Sequence, residues 1–229
     1  MKKLTIPNTL TRRAYDSIKE YILEGRLDEN DRLTEEALAN QLGISKSPIR
    51  EALNRLESEG FIRIAPRRGA YLRQFSPDEM EQLYDVREAL EVHVTRTAHV
   101  TPALLNELDK SVKRSRALLK ANDKAKYIEE DVRFHGLLAD ATNNRELCRV
   151  LQNVQNRIWL SRRKTYDLSS SVAPDFHQSI VDALRKNDRE EAQSAMRRHI
   201  TNVRQRLVAF LAAQQHASAI PSNGFLRGE

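Results

Sequence analysis

Leu42-Gly43-Ile44-Ser45-Lys46-Ser47-Pro48-Ile49-Arg50-Glu51-Ala52-Leu53 decides how the first third of this chain folds. Gly43 stands where a short helix must end and turn. Ser45 or Ser47 can cap the helix that follows and Pro48 suits its first turn, while Ile49, Ala52, Leu53 and Leu56 recur at helical spacing and face inward. Two short helices joined by a glycine turn form a helix-turn-helix, and the outward face of the second carries Lys46, Ser47, Arg50 and Asn54. Upstream, Thr34 caps a helix with Ala37, Leu38 and Leu42 inside. The polar run Asp28 to Asp31 is a turn, and residues 9–24 predict a first helix through Ala14, Ile18, Tyr21 and Ile22, ended by Gly25. Downstream of Gly60, residues 61–64 and 70–73 alternate like two strands around the basic loop Ala65-Pro66-Arg67-Arg68-Gly69, which makes a wing. Between Ile44 and Arg73 seven cations face three anions, a local patch suited to phosphates.

The 229 residues are 40% hydrophobic, enough for a real core, and the length favours two modest domains. Only 7 Gly, 7 Pro and 6% aromatics against 31% charged residues point to a mainly α protein. The formal charge of +6 is shared evenly: residues 1–75 hold 14 Lys+Arg and 11 Asp+Glu, leaving 24 and 21 for the rest, so each part carries +3. The basic balance therefore says less than the local cluster does. A single cysteine, Cys148, excludes a disulfide scaffold, and no apolar run at the N-terminus suggests a signal peptide or a membrane span. A soluble, cytoplasmic protein is expected.

From Ser76 onward strand signals stop. Six amphipathic segments can be drawn, roughly 77–99, 102–121, 123–141, 144–166, 173–186 and 189–214, separated by Thr101-Pro102, Asn143-Asn144 and Asn187-Asp188. This predicts an all-α bundle over 76–215 behind a reader over 1–75, with 216–229 as a disordered tail. The third of these segments sets Asp131 and His135 on one face with Tyr127, Phe134 and Leu138. The fifth sets His177 with Ala173, Ile180, Val181 and Leu184, and the sixth sets His199 with Ala192, Ala195, Met196, Val203 and Leu207. One histidine on an apolar face is more often a hydrogen-bonded core residue than a ligand. Three with an aspartate favour a divalent metal, because imidazoles converging without a cation gain nothing that offsets their desolvation. His93, His99 and His216 lack this pattern.

The stretches Leu33-Thr34-Glu35, Leu38-Ala39, Leu42 to Leu53, Arg55-Leu56 and Glu59-Gly60-Phe61 resemble the winged-helix signature of GntR-family bacterial regulators. The resemblance implies that Ser45, Lys46, Ser47 and Arg50 contact a double-stranded DNA operator, and that the wing tip, Arg67, Arg68 and Gly69, enters the minor groove. Some relatives use an arginine at the position of Glu36; this chain has an acid there. Lys46 also replaces the commoner arginine, which loses bidentate guanine reading. The spacing of Asp131, His135, His177 and His199 resembles the FCD effector domain of the FadR branch, in its six-helix, VanR-like form. That resemblance implies Zn²⁺ at these four residues, with Ni²⁺ or Mn²⁺ as alternatives, open positions for a small carboxylate effector, and a homodimer. Arg87, in Val86-Arg87-Glu88-Ala89-Leu90-Glu91 and on a stripe with Leu83, Leu90 and Val94, matches the family's arginine and is expected to hold the effector's carboxylate; an internal ion pair with Glu or Asp is the alternative. Trp159, Asn153, Asn156, Arg157 and Arg162 could line the pocket from the fourth segment, or Arg157 and Arg162-Arg163-Lys164 could be solvated surface.

The function expected is a ligand-responsive, sequence-specific transcriptional regulator, with repression relieved by a small organic acid at the metal. The competing reading is a metal-dependent hydrolase or oxygenase with a helical core, since open metal positions activate water. A third is an adaptor with a structural metal. No Glu-x-x-His pair, nucleophile motif or glycine-rich phosphate loop supports an enzyme, and neither alternative needs a groove reader.

Overall fold

The computed structural model describes residues 10–28, 31–169 and 172–219, without the side chains of 163–169 and 217–219. Among these the chain is mainly α: α1 (Leu10–Leu23), α2 (Glu35–Leu42), α3 (Lys46–Ser58), β1 (Ile62–Ala65), β2 (Gly69–Leu72), α4 (Pro77–Thr97), α5 (Pro102–Lys120), α6 (Lys124–Asp140), α7 (Arg145–Ser169), α8 (Ala173–Arg185) and α9 (Arg189–Ala219). They form two compact units.

The first unit comprises residues 10–74 together with Gln152–Leu160 from the middle of α7. Thr34 accepts from the Ala37 amide at the start of α2, and Gly43 closes α2 in the left-handed region at φ 65°, so α2 is bounded at both ends by the two residues the sequence singled out. Ser45, rather than Ser47, takes the N-cap backbone position of α3, although its hydroxyl makes no capping bond. Ala14, Ile18, Ile22, Leu38, Ile49, Ala52, Leu53, Leu56 and Phe61 share one core. Two inward positions differ from those expected: Tyr15 is more deeply buried than Tyr21, and Ala39 faces inward where Ala37 is exposed. The wing is an antiparallel hairpin in the register Ile62↔Leu72 to Ala65↔Gly69, one residue closer to the turn than the alternation suggested. Leu33 adds a bridge to its free edge, exchanging both backbone hydrogen bonds with Ala70.

The second unit, Phe75–Leu151 and 161–219, is helical throughout its regular structure. A capping box between Ser76 and Glu79 with Pro77 at the first position starts α4, and Thr101-Pro102 starts α5 in the same manner. Asn122, Asn143 and Asn187 take left-handed conformations between helices, which asparagine tolerates better than most residues. All six expected segments are present. α9 continues to Ala219, so residues 216–219, expected in the tail, are helical; 220–229 lie outside the described residues. Helix α4 packs on α9, α8 on α9, and α5 on both α6 and α8, while α6 also meets α4. Tyr127, Phe134, Leu138, Ile180, Val181, Leu184, Ala192, Met196, Val203 and Leu207 are all buried, so the faces expected to turn inward do so. Among the described residues, no helix is long and apolar enough to cross a membrane.

Candidate metal centre and nucleic-acid interface

Asp131 and His135 come from α6, His177 from α8 and His199 from α9, and each is 1% exposed. Helical periodicity placed them inward; the packing of three helices makes them converge, with one candidate ligand atom from each within 4.8 Å of the others. His177 Nε2 and His135 Nε2 each lie 3.3 Å from His199 Nε2, and His177 Nε2 lies 3.7 Å from Asp131 Oδ1. A tetrahedral ion with bonds of about 2.0–2.1 Å requires ligand edges of about 3.3–3.4 Å, which two of these separations match. Asp131 Oδ1 is buried without a hydrogen-bond partner, as are the outer Nδ1 atoms of His177 and His199. An orphaned carboxylate oxygen facing imidazole nitrogens is the arrangement a divalent cation completes.

The charges around the cluster set the protonation of its members. Asp131 Oδ2 accepts from Arg162 Nη1, a buried pair from α7. Burial alone would raise the Asp131 carboxyl, but the Arg162 guanidinium and then the three imidazoles outweigh it and hold it well below the usual range. Burial lowers His177 to about 3 and takes His199 well below its ordinary value, so both imidazoles stay neutral and keep a lone pair to give. His135 is positioned from both sides: Arg87 Nη2 donates to its Nε2 at 3.1 Å, and Glu91 Oε2 lies against its Nδ1. Glu91 also accepts from Arg87 Nε at 2.7 Å. Burial raises the Glu91 carboxyl, and His135 and Arg87 together overcome this and bring it to about 2. Phe134 stacks on His177 with ring centres 4.0 Å apart and forms an apolar wall.

Arg87 is thus deep in the core, 2% exposed, on a stripe of Met80, Tyr84, Glu91 and Val94 rather than with the half-buried Leu83 and Leu90. It makes the internal ion pair with Glu91, and its Nη2 also reaches the histidine cluster. Sequence reasoning missed Glu91, although its i+4 spacing from Arg87 was a visible signal. It left Arg162 either lining the pocket from the fourth segment or in solvent; the residue is 7% exposed and paired with Asp131, because a charge can be buried where an opposite charge is packed against it. Asn156 is buried and accepts from Gln152, and Arg157 is half-buried in the first unit. His93, His99 and His216 are not part of the cluster.

In the first unit Ser45, Lys46, Ser47, Arg50 and Asn54 are exposed along one side of α3. Arg50 pairs with Glu35 and Lys46 with Glu36, both from the first turn of α2; the bond from Arg50 draws the Glu35 carboxyl down. At the wing tip Arg68 N bonds to Ala65 O, with Pro66 and Arg67 between them. Arg67 holds φ 63°, a backbone state that costs a non-glycine residue roughly 1–2 kcal/mol. Arg67 and Arg68 are exposed. Gly69 is half-buried at φ 98°, and a Cβ there would lie 2.6 Å from Leu33 O. Its presence therefore has a structural cause of its own.

A winged helix-turn-helix in one unit and, in the same chain, a helical unit with a buried cluster of ligand-type side chains define a class of protein: a DNA-binding transcriptional regulator with an effector-binding domain. Residues 82–202 match the FCD domain family, and residues 10–72 match the bacterial regulatory proteins of the gntR family. The chain belongs to the GntR-type regulators with an FCD domain; it is a transcriptional regulator rather than an enzyme. It is 28% identical over 210 residues to the HTH-type transcriptional regulator LutR of Bacillus subtilis, covering 80% of this chain and 94% of that protein. To the gluconate operon transcriptional repressor of Bacillus licheniformis it is 27% identical over 205 residues, 85% of this chain and 83% of that one. Among solved structures, E. coli McbR/YncC shares the fold with a TM-score of 0.75 at 22% identity, over 90% of this chain and 99% of that chain.

Proposed function

We propose that this regulator binds its operator as a homodimer through α3 and the wing, represses, and is released when a small organic acid enters a metal site formed by Asp131, His135, His177 and His199. The observation that carries the reading is the buried Asp131 Oδ1, unpaired and facing imidazoles whose Nε2 atoms converge. Zinc fits three nitrogens and one oxygen best, with nickel or manganese as alternatives. A bound divalent ion would act as a Lewis acid and would take up an oxygen ligand by expanding its coordination beyond the four protein ligands.

The chain's own residues set what that ligand is. Arg87, Arg162, Asp131 and Glu91 cancel in formal charge, so a divalent ion would bring an uncompensated buried charge that a small anion offsets. His135 would hold an ion through the Nε2 lone pair that now accepts from Arg87 Nη2, which would leave that Nη2 donor free. That donor already lies beside the cluster, and Glu91 keeps Nε, so Arg87 can hold a carboxylate with its remaining edge. On the reader, Ser45, Lys46, Ser47 and Arg50 face bases and phosphates, and Arg67, Arg68 and Gly69 approach the minor groove.

The test is a thermal-shift screen of the metal-loaded protein against small organic acids, followed by gel shifts with the acid that raises the melting temperature most. That acid should weaken operator binding about 5- to 150-fold. Arg87→Gln, which keeps a donor beside Glu91, should weaken acid binding while leaving acid-free DNA binding near wild type once an unchanged melting temperature is confirmed. Equal operator affinity with and without a saturating, demonstrated ligand would separate the pocket from regulation.

A further inference from the structure

The two cations that project from the first turns of α3 are both held by acids from the first turn of α2. Arg50 makes a two-point pair with Glu35, Nε to Oε1 at 2.8 Å and Nη2 to Oε2 at 2.7 Å. Lys46 Nζ lies 3.6 Å from Glu36 Oε1. Glu35 is the more sheltered acid, 34% exposed against 74% for Glu36. Both acids sit at the positive end of α2, which favours their ionised form.

The pairing edge matters. Glu35 occupies the Nε/Nη2 side of the Arg50 guanidinium and leaves the end-on Nη1/Nη2 edge facing away from α2. A guanidinium carries five donors in a rigid fork, and that free edge can still span the N7 and O6 acceptors of a guanine. An unbraced arginine on an exposed helix samples many rotamers and meets phosphates as readily as bases. One pinned from the side offers a single reading edge. The charges matter as well: Lys46, Arg50, Glu35 and Glu36 sum to zero, so the head of the recognition helix has little net attraction for a phosphate backbone of arbitrary sequence. The exposed arginines of the wing, Arg67 and Arg68, are left to carry that attraction.

We propose that Glu35 and Glu36 form an acidic brace that sets the selectivity of this reader: Glu35 positions Arg50 for end-on guanine reading, and both acids lower affinity for DNA of unrelated sequence. The inference rests on the reading of α3 as the recognition helix. It makes Glu35 a positioning residue that acts through Arg50, and it predicts effects of opposite sign on cognate and unrelated DNA, which a merely structural salt bridge would not give.

The experiment uses the full chain, a duplex selected by this protein from a random pool, and a scrambled duplex of equal length. Binding is titrated over a salt series for wild type, Glu35→Gln, Glu35→Asp, Glu36→Gln and Arg50→Ala, each checked for an unchanged melting temperature. Glu35→Gln should tighten binding to the scrambled duplex, steepen its salt dependence and weaken the selected duplex, lowering the specificity ratio about tenfold. Glu35→Asp keeps the charge but is one methylene short, so it should weaken the selected duplex without gain on the scrambled one. Glu36→Gln should tighten only the scrambled duplex. If Arg50→Ala lowers the specificity ratio while the Glu35 variants leave it within about twofold of wild type, the brace is overturned and the recognition helix stands. If Arg50→Ala itself leaves the ratio unchanged, both are overturned.

Discussion

Arg162 donates to Asp131 Oδ2 and so leaves Oδ1 as the oxygen turned toward His177, 3.7 Å away. One guanidinium thereby divides the carboxylate into an outer oxygen fixed by the protein and an inner one free for a cation. Arg162→Gln should lower divalent-metal affinity about 10- to 100-fold, as loss of an outer partner typically does. Arg162→Ala, which leaves Asp131 buried and unpaired, should also destabilise the apo fold by about 3–5 kcal/mol. Competition with a chromophoric chelator and denaturant unfolding read the two effects; wild-type affinity in the glutamine variant would mean that Asp131 needs no orienting partner.

The cluster of four ligand atoms should hold about one divalent ion per chain. His177→Ala and His199→Ala should each strip the ion and lower the melting temperature of protein purified with metal, because binding free energy adds to folding free energy. Elemental analysis is the check. Wild-type protein that carries no metal and takes up no added Zn²⁺ would return the three imidazoles to core residues.

Stability of the metal-free protein should fall on mild acidification. His177 is lowered to about 3 from 6.5 and His199 is lowered as well, so below about pH 6.5 the unfolded chain takes up protons that the native state refuses. Each histidine's contribution is present in full above its unfolded value and is lost at up to about 1.4 kcal/mol per pH unit as pH falls toward its native one. The carboxylates Asp131 and Glu91, also lowered, add their losses only below about pH 4.5. Guanidinium unfolding with a chelator present should show the decline beginning near pH 6.5; a flat profile down to pH 5 would contradict neutral buried imidazoles.

At the wing, strain and space give opposite expectations for two positions that flank Arg68. Arg67→Gly removes the left-handed penalty at φ 63°, roughly offset by the entropy that glycine loses on folding, so stability should stay level or rise slightly. DNA binding should weaken nonetheless, with a salt slope reduced by about one phosphate contact. Gly69→Ala drives a Cβ toward Leu33 O and should cost about 1–3 kcal/mol through the bridge to Ala70, whatever its role on DNA. Unfolding and gel-shift titrations on the two variants separate these outcomes. A fully stable Gly69→Ala protein would show that the Leu33 bridge is dispensable.

The sequence by itself determined the order of the helices, their inward faces and the helix-turn-helix with its wing. Those signals are local: Thr34, Gly43, Ser76 and Thr101 act on the backbone within a few residues, and a 3.6-residue repeat declares which side of a helix is dry. It declared His135, His177 and His199 inward in that way. It did not declare which inward faces meet, since helices distant in sequence meet through the packing of whole faces rather than through any local pattern. Only the tertiary structure, then, could decide that α6 and α8 each bring a histidine Nε2 to 3.3 Å from His199 Nε2 on α9, that Glu91 backs His135, and that Arg162 is buried against Asp131. A charged side chain reads the same in a sequence whether it ends in water or against an opposite charge, and that choice is made by what packs across from it.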